Sequence, residues 1–467
     1  MKRYTTLILL LVQLYLGPQL LSANINLPAF FADHMVLQQN TSVFIWGWGD
    51  TNEELTVSCS WDSAIVTTTV NNHASWKVEL KTPSAGGPFE IVLRQRDDSL
   101  IIGDVLIGEV WLASGQSNME MTLIQLDSLK KEISGATFPN IRLFQSTKRT
   151  AESPQVDLQG EWKPCEPSSA EGFSAVAYFF ARELNQKLQI PIGIINSSWG
   201  GTGAEVWVNP SVLYGDTELI EAIKMIPENP FGPVDIGTVY HAMIAPLIPL
   251  RIAGVIWYQG ESNRTNYYVY EKLFKCLIHN WRFEWNHEFP FYFVQITPFN
   301  YNEPLVGLMI REAQFNCLTV PNTGMVVTSD IGNVNNAHPL NKKDVGIRLA
   351  NWALAKTYHQ DGIAYSGPLY RAMRIEGTKI RIFFDHSETG LVSRGGALTH
   401  FQIAGEDRIF IDAEAEIDGN TVVVNSQEIK KPISVRFAWS NTAEPNLFNM
   451  DGLPASCFRT DSWDRKQ

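Results

Sequence analysis

Apolar and polar positions alternate in short runs over the first hundred residues, at 42–48, 55–59, 65–70, 76–80 and 89–93, with Asn, Asp, Gly and Pro between the runs. A repeat of two marks strands with one buried face, and the residues between are those that turn a chain. Residues 24–103 are therefore expected to form a β-sandwich-like domain. The end of the chain has the same texture, with runs at 380–384, 398–403, 409–413, 421–424 and 435–439. A second β domain is expected over 361–467.

Between these regions the period changes. Short, largely apolar runs at 105–112, 141–145, 192–196, 254–258, 291–296 and 325–328 are interleaved with longer stretches whose apolar residues recur every three or four positions. Apolar strands of that kind are buried on both faces, as in a largely parallel sheet covered by helices. One helix is predicted over 175–188, ending before Pro191, and another over 268–281, with Leu273, Leu277 and Trp281 on one face. A third starts at Lys342, with Asn341 as N-cap, Asp344 at its third position, and Val345, Leu349 and Trp352 as its apolar face. Residues 104–360 are thus expected to be an α/β domain, and no internal repeat is visible.

Composition narrows the function. With 45% hydrophobic and 18% charged residues over 467 positions, the chain is a folded protein of two or three domains. Its 37 Lys and Arg face 49 Asp and Glu without long single-sign blocks, which offers no basic surface to nucleic acid or anionic lipid. Lys2 and Arg3 precede an apolar run at 7–16 and the small pair Ser22-Ala23, the pattern of a secretory signal peptide over 1–23. An exported protein, periplasmic or extracellular, is expected. No membrane anchor is expected, because the run is too short to span a bilayer and no cysteine near the cleavage point can carry a lipid. Cys59, Cys165, Cys276, Cys317 and Cys457 are scattered, without metal or redox spacing, and are expected to be buried thiols, with one long-range disulfide the alternative in an exported protein.

Candidate chemistry lies at strand ends. The first strand of the middle region runs into Ala113-Ser114-Gly115-Gln116-Ser117-Asn118-Met119-Glu120. Gly115 permits a sharp turn that stands the Ser117 hydroxyl clear of the sheet at a helix start, where backbone amides can receive an oxyanion. The motif is not the Gly-x-Ser-x-Gly elbow, since Met119 takes the second glycine position. Two later strands end in Ser197-Ser198-Trp199-Gly200-Gly201-Thr202-Gly203 and Gln259-Gly260-Glu261-Ser262-Asn263. Carboxyl ends of parallel strands are where ligands gather, so these loops are expected to converge. The 325–328 strand leads to His338, beside Pro339, and an imidazole there suits a general base. The other eight histidines form no metal-binding pair, and neither metal nor cofactor is expected. Ser262 is a weaker rival to Ser117, because Glu261 beside it opposes an alkoxide.

The strings ADHMVLQQN, EVWLASGQSNMEM, INSSWGGTGAEVW, GVIWYQGESN, AHPLNKKDVGIRLA and GLPASCFRTD, ordered between about Phe30 and Asp464, resemble the sialate O-acetylesterase family, carbohydrate esterases of the SGNH-hydrolase class. The resemblance implies a three-layer α/β domain with a parallel sheet, flanked by N-terminal and C-terminal β domains. It implies Ser117 as nucleophile, His338 as base, and an oxyanion hole from the amides of Ser117, Gly200 and Gly201 with the Gln259 side chain. Where relatives carry an aspartate three or two residues before the histidine, this chain has Asn335 and Asn336. Glu261 then resembles the acid that orients His338; Asp330, ending the preceding strand, is the alternative, and a Ser-His dyad the third. Asn118, Trp199, Tyr258 and Asn263 are expected at the substrate, and Arg311 in LMIREAQ at a carboxylate such as that of sialic acid, or else in a structural salt bridge. The implied partner is an O-acetylated sugar or glycan, sialic acid first and acetyl-xylan or another polysaccharide second. A different class, an inert glycan-binding protein, remains as an alternative.

Overall fold

The apolar runs become the centre of the molecule. The structure, a computed structural model, describes residues 25–126 and 129–463, and the expected signal segment 1–23 lies outside them. Along the middle sheet the order is Thr323–Val326, Phe291–Val294, Gly254–Tyr258, Asp98–Gly115, Ile192–Ser198, Phe138–Ser146 and Gly160–Cys165. Every neighbouring pair is parallel except the last. Successive residues of each strand feed two different cores. Val110, Leu112, Val255 and Trp257 belong to the core that holds Leu273, Leu277 and Trp281 of helix Tyr267–Trp285. Trp111, Ala113, Ile256 and Tyr258 belong to the one that holds helices Ala175–Leu188 and Lys342–Trp352. Each large side chain so buried contributes about 1.5–3 kcal/mol, and burial on both faces explains why these strands lack alternation.

Helix ends follow their capping residues. Ser174 Oγ accepts from the Ala177 amide at 3.1 Å and donates to the Met119 carbonyl at 2.6 Å, tying this helix to the segment after Ser117. Asn341 accepts from the Asp344 amide at 3.1 Å. The two helices touch at Gly346, where a Cβ would stand 2.6 Å from Phe179 Cβ. Helices Thr217–Lys224 and Val306–Asn316 were not expected. The first is short, though Asp216 caps it; the second starts from Leu305 with no side-chain cap.

The flanking regions are joined to this sheet differently. Strands Glu54–Cys59 and Gly86–Gln95 pair antiparallel, and Gly86–Gln95 pairs in turn with Asp98–Gly115. Ser42–Trp48 and Ser75–Lys81 form a second layer. The expected boundary at 103/104 thus falls inside one continuous strand of 18 residues, not in a linker. At the other end, antiparallel sheets enclose a third core around Ile380, Ile382, Ile403, Val422 and Phe437. All five cysteines are free thiols. Among the described residues no helix is long and apolar enough to cross a membrane.

Candidate active site

Register brings three strand ends to one level. Ser198 and Tyr258 are both paired with Gly115, from opposite sides. Gly115 has φ +134, and a Cβ there would lie 2.2 Å from the Tyr258 carbonyl oxygen, so only glycine lets the chain turn against its neighbour. Beyond the turn, Gln116 donates its amide to the Tyr258 carbonyl at 3.0 Å. Its side-chain oxygen accepts from the Gly260 and Ser262 amides at 3.3 and 3.2 Å, which fastens the third strand-end loop to the serine turn. Ser117 then opens helix Ser117–Glu120, at a cavity of about 830 Å³.

His338 reaches the same point from 221 residues away, with Nε2 2.8 Å from Ser117 Oγ. Its own amide donates to Asn336 Oδ1 at 2.9 Å, so Asn336 shapes the loop backbone and does not serve the ring. Burial and the nearby Lys342 cation lower the His338 pKa from its ordinary value.

Neither expected acid touches the imidazole, which is a correction to the sequence reading. Asp330 is held by both arms of Arg348, at 2.8 and 2.6 Å, with Arg348 also donating to the Val327 carbonyl; it braces the middle of helix Lys342–Trp352. Glu261 is buried and its Oε1 accepts from Asn118 Nδ2 at 2.6 Å, while its Oε2 has no partner. Burial raises the Glu261 pKa. Among the described residues no carboxylate pairs with the His338 ring, and the geometry there is that of a serine–histidine dyad.

Comparison with known proteins identifies the family. Residues 107–355 match the family model described as carbohydrate esterase, sialic acid-specific acetylesterase. Rat sialate O-acetylesterase is 32% identical over 413 residues, covering 74% of this chain and 76% of that one. The human sialate O-acetylesterase is 33% identical over 381 residues, covering 73% and 72%. The crystal structure of a carbohydrate acetylesterase from Xanthomonas citri is 37% identical, covers 94% of this chain and 100% of that one, and superposes with a TM-score of 0.87.

The chain belongs to the sialic acid-specific acetylesterase family of carbohydrate esterases.

As a member of this family it is a carbohydrate-acting esterase that hydrolyses O-acetyl esters of carbohydrates. The remaining residues expected at its site divide sharply. Gly200 lies against Ser117, since a Cβ on it would be 3.3 Å from Ser117 Cβ, but its amide is taken by Glu120 Oε2 at 2.5 Å, and Glu120 is paired in turn with Lys148. Gly201, at φ +78, packs under Phe231 and Asn229. Gln259 is fully buried and spends both amide hydrogens elsewhere, on Asn263 Oδ1 at 2.7 Å and the Thr202 carbonyl at 3.3 Å. It therefore cannot serve the oxyanion hole as oriented here. Asn263 is likewise buried, donating to Glu205 at 2.8 Å and accepting from the Ala204 amide at 2.9 Å. Burial pushes the Glu205 carboxyl up to about 7, and this acid lies at the cavity lining, held by Asn263.

Other corrections concern the sugar-facing residues. Tyr258 is wholly buried; Trp199 turns its indole to the Phe231 carbonyl at 3.3 Å and is not part of the cavity wall. Arg311 is buried and donates to the Ser440 and Asn441 carbonyls at 2.5 and 3.4 Å. It anchors the C-terminal region to helix Val306–Asn316, and Asn441 also accepts the Leu308 amide beside the cavity-lining segment with Phe299 and Tyr301. Asn118 reaches the cavity floor but is 1% exposed. What the strings did not reveal is Arg264, exposed on the cavity wall, one residue past the quoted GVIWYQGESN block. Glu120 and Lys342 sat inside quoted blocks, and their only signal was charge beside a strand-end loop.

Proposed function

We propose that this esterase deacetylates sialic acids with Ser117 as nucleophile and His338 as general base, after export across a membrane. The observation that carries the reading is the 2.8 Å contact between Ser117 Oγ and His338 Nε2 at the cavity. In the forward step His338 takes the hydroxyl proton as Ser117 Oγ bonds to the acetyl carbon. His338 returns that proton to the departing sugar oxygen, and water, deprotonated by the same imidazole, then releases acetate from the acetyl-enzyme. The oxyanion faces the amide of Ser117, at a helix start where amides lack intrahelical acceptors, and that of Gly200, from which the ester oxygen displaces Glu120. Labelling with a fluorophosphonate followed by peptide mass analysis tests the nucleophile: the adduct is expected on Ser117, and an adduct elsewhere with activity lost would refute the assignment. The pKa of His338 lies below that of a free imidazole, so the base-competent neutral form persists to lower pH. The acidic limb of kcat/KM is expected below the ordinary histidine value, as a pH–rate profile will show.

An acidic sugar needs a cation, and with Arg311 occupied the reading rests on Arg264. Lys148 is paired with Glu120, whereas Arg264 has no carboxylate partner among the described residues. A charge-assisted bond is worth about 1.5–3 kcal/mol, so Arg264→Gln is expected to raise KM for O-acetyl sialic acid by roughly tenfold to a hundredfold. Hydrolysis of a neutral acetyl-xylan oligomer should be unchanged. Equal effects on both esters would favour the neutral polysaccharide as substrate. The N-terminal sequence of exported protein tests processing after Ala23.

A further inference from the structure

The imidazole is positioned without a carboxylate on its ring, so another part of the molecule must set its distance from Ser117. The residue next to the serine, Asn118, has a side chain bonded on all sides. Both hydrogens of Nδ2 are used, one on Glu261 Oε1 at 2.6 Å and one on the carbonyl of Ala337 at 2.9 Å. Oδ1 accepts from Lys342 Nζ at 2.5 Å. Ala337 immediately precedes His338, and Lys342 lies in the first turn of the helix that follows. One buried amide therefore joins the serine turn, the histidine loop and the next helix.

The chemistry of the two charged partners fixes which way that amide points. An ammonium only donates and an ionised carboxylate only accepts. Turning Asn118 over would set its oxygen against Glu261 and the Ala337 carbonyl and its NH₂ against Lys342, leaving three like-with-like contacts. With the amide held in one orientation, the Ala337 carbonyl has one place to sit, and His338 is placed through its backbone. We propose that Glu261 and Lys342 are positioning residues that act through Asn118 to hold the His338 loop against Ser117, in place of a carboxylate bonded to the imidazole.

Lys342 and Glu261 are both buried, and the charged groups around them are few. Lys342 faces Asn118, Glu261 and the ring of Tyr258, with Nζ 5.3 Å from the ring centroid. Glu261 is felt by the phenols of Tyr258, Tyr270 and Tyr301, and His338 faces Ser117 and the Lys342 charge. Burial brings Lys342 down to about 7, with Glu261 opposing that fall. Because the Lys342 cation disfavours a second positive charge nearby, its removal raises the His338 pKa, and the acidic limb of activity moves to higher pH. That shift reads the charge, while a fall in kcat at constant KM reads the positioning.

The inference rests on Ser117 and His338 being the reacting pair. The test is steady-state kinetics over pH on two variants of the full chain, with an O-acetylated sugar and acetate as readout. Lys342→Met removes both donor and charge, and kcat is expected to fall roughly tenfold to a hundredfold with KM within about twofold, as for a misplaced catalytic group. Lys342→Gln keeps a donor for Asn118 Oδ1 and should recover most of kcat. Both should shift the acidic limb upward. An unchanged kcat in Lys342→Met, or a limb that stays put in both variants, overturns the proposal. Should the methionine variant fail to fold, Asn118→Ala, which cuts the link and keeps the Lys342 charge, decides instead: kcat is expected to fall at least about tenfold, and an unchanged kcat overturns the proposal. If Ser117→Ala retained activity the underlying reading would fail instead, so the two failures are distinguishable.

Discussion

Ser117→Ala should lower acetate release from an O-acetylated sugar by about a millionfold while leaving the fold intact. The size follows from cooperativity: in a serine–base unit, loss of the nucleophile removes almost everything except binding and oxyanion stabilisation. Structural damage is not expected, because the hydroxyl makes its contact with His338 and the Cβ that remains already sets the spacing to Gly200. Single-turnover acetate release beside a thermal melt would check both halves. A variant that melts like the parent and retains more than about a thousandth of its rate would show that another group attacks the ester.

Gly115→Ala should be strongly destabilising. The added Cβ would meet the Tyr258 carbonyl oxygen at 2.2 Å and its carbon at 2.8 Å, in a backbone conformation with φ +134. Neither obstacle is a flexible side-chain end, since the Tyr258 carbonyl is held by the Gln116 amide at 3.0 Å. Relief requires two paired central strands to separate just before Ser117. A loss of about 4 kcal/mol or more is expected, with activity falling further than stability because the serine turn moves. Gly172→Ala is the matched control: nothing lies within 4 Å of its Cβ, and a change within about 0.5 kcal/mol is expected. Urea midpoints of the two variants make the comparison.

Ser117 and His338 could be singled out from the sequence because each follows an apolar strand that gives way abruptly to glycine or turn residues, and parallel strands end on one side. The same logic misplaced Gln259, Asn263 and Tyr258. A polar side chain at a strand end has two destinations, the cavity or the polar layer beneath it, and spacing along the chain does not separate them. Gln259 went below because Asn263, Thr202 and Tyr270 meet it there. Arg311 was misplaced for a related reason: on helix Val306–Asn316 it looks like a free cation until the carbonyls of Ser440 and Asn441, some 130 residues on, close over it. Arg264 left no trace because a lone exposed residue in the short 3-10 helix Glu261–Asn266 follows no period visible along the chain. Trp111, Trp207 and Trp257 are wholly buried and pack the two faces of the sheet.

The strand Asp98–Gly115 serves two sheets, and this makes the amino-terminal layers a foundation for the reaction centre. Its first half is hydrogen-bonded to Gly86–Gln95 and its last residues to the strands that carry the glycine loop and the Gln259 loop. An enzyme trimmed to begin at 104 would lose the antiparallel partner that anchors this beam and leave a raw edge beside Val105 and Ile107. Loosening introduced in residues 25–103 would travel along a rigid rod to the serine, so substitutions remote from the cavity, at Leu93 or Ile102 for instance, are places where catalytic rate and thermal resistance should change together.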